Sequence, residues 1–111
     1  MDFVRGDTFP FKFKITTSGG GNITINDIDT LFITCREYPN ESSPIIFQKT
    51  KTDVTIDNNY CHVVFEPEDT EKLDLGMYYF DVEITLPGGY RKSRLYTFTL
   101  TPETTIHGGE E

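Results

Sequence analysis

The chain has 111 residues, which fits one domain and leaves no room for a second. Nine Phe and six Tyr make 14% of it aromatic and it has no Ala, so strands are favoured over helices. A formal net charge of −8 argues against nucleic acid, which is held by Lys and Arg on phosphates, and against an anionic membrane surface.

No run is apolar for long enough to span a bilayer. The opening Met1-Asp2-Phe3-Val4-Arg5-Gly6-Asp7 has neither a basic region nor an apolar stretch, so no secretory signal is expected. On that footing Cys35 and Cys61 are expected as free, buried thiols in a reducing compartment, with a Cys35–Cys61 bridge as the sharper alternative.

In chain order, Phe9, Phe11, Phe13 and Ile15 alternate with Pro10, Lys12, Lys14 and Thr16, which predicts a strand with one dry and one wet face. Pro10 places it at an edge or a strand start. Ser18 to Asn22 is a glycine-rich loop, Ile23 to Ile25 a short strand, and Asn26 to Asp29 a turn. Thr30 to Arg36 is a strand with Leu31, Ile33 and Cys35 on one face. A loop from Tyr38 to Pro44 leads to a short strand, Ile45 to Lys49, and Thr50 to Thr55 has no clear period.

Ile56-Asp57-Asn58-Asn59 predicts a turn into the strand Tyr60–Phe65, where Cys61, Val63 and Phe65 share a face. Glu66 to Leu73 is the one helix candidate, a turn or two near 67–73, with Pro67 at the first helical position and acids at the positive end. The longest signal follows. Tyr78, Phe80, Val82, Ile84 and Leu86 alternate with Tyr79, Asp81, Glu83 and Thr85. Pro87-Gly88-Gly89 turns the chain, and Tyr96, Phe98 and Leu100 alternate on the return from Tyr90. Such a pair is a β-hairpin.

About seven strands with short connections predict an all-β, immunoglobulin-like antiparallel sandwich over residues 1–101, with a flexible tail over 102–111. Leu73-Asp74-Leu75-Gly76-Met77-Tyr78 fits a tyrosine corner, in which Gly76 permits the turn and the Tyr78 hydroxyl bonds back to the backbone.

Candidate chemistry is sparse. Arg5-Gly6-Asp7 matches an adhesion tripeptide, but just before a strand Gly6 more simply bends the backbone and Asp7 bonds nearby N–H groups through its side chain. His62 and Cys61 are adjacent on a strand and point to opposite faces, so they cannot share a metal, and neither they nor His107 suggest a ligand set. The run Glu66, Glu68, Asp69, Glu71, Asp74 lacks the spacing of a calcium loop. Asp81 and Glu83 share a strand face, as glycosidase carboxylates would, yet no cleft is evident. No catalytic, cofactor-binding or metal-binding residue is assigned, and no cofactor is expected. Tyr79 and Tyr90 remain as a possible interaction surface: exposed Tyr serves interfaces and sugar stacking, and equally cross-strand pairing.

The order Arg5-Gly6-Asp7-Thr8-Phe9, Thr30 to Arg36, Phe65 to Thr70, Gly76 to Val82 and Thr101 to Thr105 resembles the small β-sandwich domain of phage and prophage tail or baseplate proteins. The likeness is to the N-terminal domain of upper baseplate proteins from phages of Gram-positive bacteria. It departs at Ile25 to Asp29, where the family carries a glycine-containing turn, and at the Cys61-His62 pair. The resemblance implies a non-enzymatic virion structural protein, assembled in the bacterial cytoplasm. Its partners would be other tail or baseplate proteins, in a homo-oligomer within a larger assembly. A carbohydrate-binding or adhesion module using the exposed tyrosines is the alternative.

Overall fold

The computed structural model describes residues 1–15, 23–40 and 42–102. Its strands are β1 (Asp2–Val4), β2 (Phe9–Lys14), β3 (Thr30–Arg36), β4 (Ile45–Thr50), β5 (Val54–Asp57), β6 (Tyr60–Phe65), β7 (Gly76–Leu86) and β8 (Tyr90–Thr101). A single helical turn, α1, covers Pro67–Thr70. One sheet has the order β1-β8-β7-β3-β4, the other β2-β6-β5. This is the immunoglobulin-like sandwich that the alternation predicts, with the β7–β8 hairpin at the heart of the larger sheet.

The core is aromatic. Phe80 is fully buried and meets the rings of Phe3, Phe11, Phe65, Tyr96 and Phe98. Immunoglobulin domains carry the second cysteine of their inter-sheet disulfide two residues beyond the corner tyrosine. Here that place, two residues after Tyr78, belongs to Phe80. Phe11 of β2 reaches across from the other sheet to meet it edge-on at 5.1 Å, so an aromatic contact ties the sheets where a disulfide would. Cys35 and Cys61 are free and buried within this core, as expected.

The tyrosine corner is present. The Tyr78 hydroxyl donates to the Asp74 carbonyl at 2.6 Å. Gly76 holds φ at +139°, with open space where a Cβ would stand, so the need for glycine there is one of backbone conformation. Burial first, and the Asp74 carboxylate second, push the Tyr78 phenol above its ordinary range.

Four expectations need correction. β1 has no counterpart in the sequence pattern, and it pairs with β8 in parallel, so the sandwich is not wholly antiparallel. Its three residues offer no period to read, yet Phe3 is 1% exposed and stacks on Phe9 at 3.7 Å and Phe98 at 4.4 Å. Ile23–Ile25 is not a strand. The Asp27 carboxylate accepts from Thr24 N–H at 2.8 Å and Asp27 N–H donates to Thr24 O at 3.0 Å, winding residues Ile25–Asp27 into a 3-10 turn. The unclear stretch from Thr50 holds a second such turn, Lys51–Asp53, and then β5. The helix stops at Thr70 rather than near 73, making eight strands and one shorter helix.

A single spacing explains all three short turns. Thr24 with Asp27, Thr50 with Asp53 and Glu66 with Asp69 each place a carboxylate three residues on, accepting the first residue's N–H at 2.7–2.8 Å. The glycine-rich loop, Thr16 and the tail beyond Pro102, His107 included, lie outside the described residues. Both ends of the excursion from Ile15 to Ile23 are fastened to Asn59, whose backbone carbonyl takes Ile15 N–H and whose side chain takes Ile23 N–H. Asn58 and Asn59 both have positive φ, as a tight β5–β6 hairpin turn requires.

Candidate interaction surface

The outward positions of the larger sheet form rows across strands. Arg36 of β3, Tyr79 of β7 and Thr97 of β8 make one row; Thr34, Asp81 and Leu95 make the next; Phe32, Glu83 and Ser93 the third. Alternation forces this composition, because every second residue of β7 is committed to the core. The turn after β3 lifts Tyr38 beside the first row, where it is 58% exposed; Met77 and Leu95 are exposed apolar neighbours.

Together these side chains bound a shallow trough. One recess of about 120 Å³ lies among Arg36, Tyr38, Asn40, Tyr79 and Leu95, and a second of about 350 Å³ among Phe32, Gln48 and Glu83. Thr34, Arg36 and Asp81 line both. Thr34 is buried even on this outer face, and its hydroxyl accepts from Gln48 Nε2 at 2.9 Å. Arg36 Nε is buried and makes no hydrogen bond. Among the described residues no ion pair joins it to Asp81, whereas Glu83 pairs with Arg91 at 3.5 Å on the exposed side.

Tyr79 therefore belongs to a surface patch, half-buried rather than prominent. The Tyr90 position lies at the other end of β8. It pairs with Leu86 at the hairpin turn, while Tyr79 pairs with Thr97, seven residues along β8. At ~3.3 Å per residue that is ~23 Å of strand. Gly76 and Tyr78 act at the corner, as predicted. Tyr38 and Arg36 escape a reading of sequence alone: Tyr38 sits in a loop without period, and Arg36 is one more polar residue on a wet face.

The remaining candidates fall to structural roles. Arg5 Nη1 donates to Leu73 O at 3.2 Å and Gly6 N–H to Thr70 Oγ1 at 3.0 Å, so the adhesion-like tripeptide is tied to the end of α1 and the turn after it instead of protruding. Gly6 bends the chain with φ at +79°, while the bond made by Asp7 runs through its backbone N–H to Val4 O, not through its side chain as expected. His62 is exposed and Cys61 buried, on opposite faces. Burial pushes both thiols up to about 12, with the Asp69 charge adding to the effect at Cys35, so neither supplies a thiolate at neutral pH. Asp69 is structural as well: besides its cap, it pairs with Lys49 of β4 at 2.7 Å and pins α1 to the sandwich edge. Among the described residues no cluster of three or more ligating side chains could hold a metal, and no helix is long and apolar enough to cross a membrane.

No family model matches the chain, and no curated protein matches it in sequence. Among solved structures, one similar in fold is a "putative glycoside hydrolase" from Bacteroides vulgatus, at 17% identity and a TM-score of 0.50. The likeness covers 96% of this chain and 17% of that one, so it extends to the fold of one domain-sized part of a much longer protein.

Proposed function

We propose that the chain is a non-enzymatic interaction module of a phage or prophage tail or baseplate assembly, engaging a neighbouring protein through the trough around Tyr79. The observation that carries the docking face is Arg36. Arg36 lines both recesses beside Tyr79 and Asp81, and a partner's carboxylate or carbonyl placed in the trough would meet its charge. Tyr and Arg at the middle of a patch, with apolar Leu95 and Met77 around them, make the composition of an interface hot spot. The place in a tail rests on the order of sequence motifs that resembles baseplate proteins.

A carbohydrate-binding module is the second reading, favoured by Tyr79 beside the polar side chains of Arg36, Asn40 and Asp81 in one recess. Tail particles induced from the encoding genome separate the two. Mass spectrometry should find the chain in purified particles at a fixed ratio, and Arg36→Ala with Tyr79→Ala should remove it while the isolated domain stays folded. Absence of the chain from the particles, or glycan-array binding lost in Tyr79→Ala, overturns the first reading.

A further inference from the structure

A second surface lies on the side of the sandwich, between β8 and β2, and its slot shares no lining residue with the recesses of the trough. β1 covers the outer edge of β8 at Thr99, Leu100 and Thr101 alone. Among the described residues no strand pairs with that edge over Ser93 to Phe98. On the facing sheet β2 pairs with β6, and among the described residues no strand pairs with its outer edge. A side with two bare edges is the site where a sheet accepts a further strand.

Between those edges is a slot of about 190 Å³. Phe13, Val82 and Tyr96 form its apolar floor; Lys14, Lys92 and Arg94 line its rim. Among the described residues no carboxylate lines it, on a chain whose net charge is −8. The inward row of β8 runs Leu100, Phe98, Tyr96 and then turns cationic at Arg94 and Lys92, where an ordinary sandwich would continue apolar. The Arg94 guanidinium lies over the Tyr96 ring, 5.1 Å from its centre, which holds the charge at the mouth of the slot.

We propose that this slot receives an extended, acidic segment of a partner protein, which adds as a strand to the β8 edge at Ser93–Phe98. The backbone edge supplies hydrogen bonds. The floor takes an apolar side chain near Phe13 and Tyr96, and the rim takes a carboxylate two residues along, opposite Arg94. Complementary charge speeds encounter and fixes register. A basic or uniformly apolar segment satisfies the backbone edge and fails at the rim.

The test pans a random octapeptide display library on the full chain, with a Lys14→Glu, Arg94→Glu variant as counter-target. Both substitutions are at exposed positions, and circular dichroism confirms that the variant folds. Selected peptides should be rich in Asp and Glu at alternate positions. They should shift the amides of Ser93–Phe98 and β2 in a nitrogen–proton correlation spectrum and bind the variant about tenfold or more weakly. The proposal is overturned if no peptide is enriched, if enriched peptides lack acidic residues, or if the variant binds them equally. Amide shifts around Arg36 and Tyr79 instead would also overturn it, while supporting the trough. Amide shifts at the slot on concentrating the chain alone would name a second copy as the occupant and overturn the acidic partner.

Discussion

The two ends of the β7–β8 hairpin share the alternation of β7, but that of β8 gives way to cations toward the tip, and the ends meet opposite physical fates. At the base, Tyr78 and Phe80 face Phe98 and Tyr96, β1 closes the edge, and Phe3 is wedged between Phe9 and Phe98. At the tip, Val82 and Ile84 remain buried, but their partners across the ladder are Arg94 and Lys92, and β8 is exposed from Arg91 to Leu95. The base is spent on holding two sheets together. The tip keeps, among the described residues, a row of edge positions with no paired strand, beside a slot rimmed by cations. One hairpin thus divides stability from recognition along its length.

The comparison can be broken most severely at Phe80. Phe80→Ala removes the ring that bridges the sheets and should cost about 3–5 kcal/mol, read as a lower denaturation midpoint in urea. A cost under about 1 kcal/mol would mean that the base is not the anchor. Next is the corner. Tyr78→Phe leaves the Asp74 carbonyl without its 2.6 Å donor and should cost about 1–2 kcal/mol by the same measurement, with the fold kept. At the tip, Arg94→Ala loses an exposed stack on Tyr96 and should move stability by less than about 1 kcal/mol in the urea titration. A larger loss there would make the cationic row a structural feature.

Much of the fold was legible because burial on one sheet face imposes a period of two. Thr30–Arg36, Tyr60–Phe65 and the hairpin were readable for that reason, and the tyrosine corner because it is a local motif. β1 was not legible: three residues hold one apolar ring, and only the stacking of Phe3 on Phe9 and on the distant Phe98 gives it meaning. The 3-10 turns at Thr24 and Thr50 were hidden by neighbouring isoleucines and by a lack of period. Their Thr-x-x-Asp spacing was the available signal. Of the surface, Tyr79 was legible as an outward residue. Its neighbours were not, because Arg36 and Tyr38 join it through strand pairing and a loop.

By itself the sequence determined the class of fold, the dry face of each long strand, the corner at Gly76 and Tyr78, and the burial of both cysteines. These follow from local conformation and from which side chains must leave water. Tertiary structure alone decided that β1 runs parallel to β8 and stops after three pairs. It also decided that Arg36 has a buried nitrogen without an acceptor, and that three cations gather beside a bare edge. Those features arise from contacts between residues far apart in the chain, where pairing and packing, not period, set the outcome.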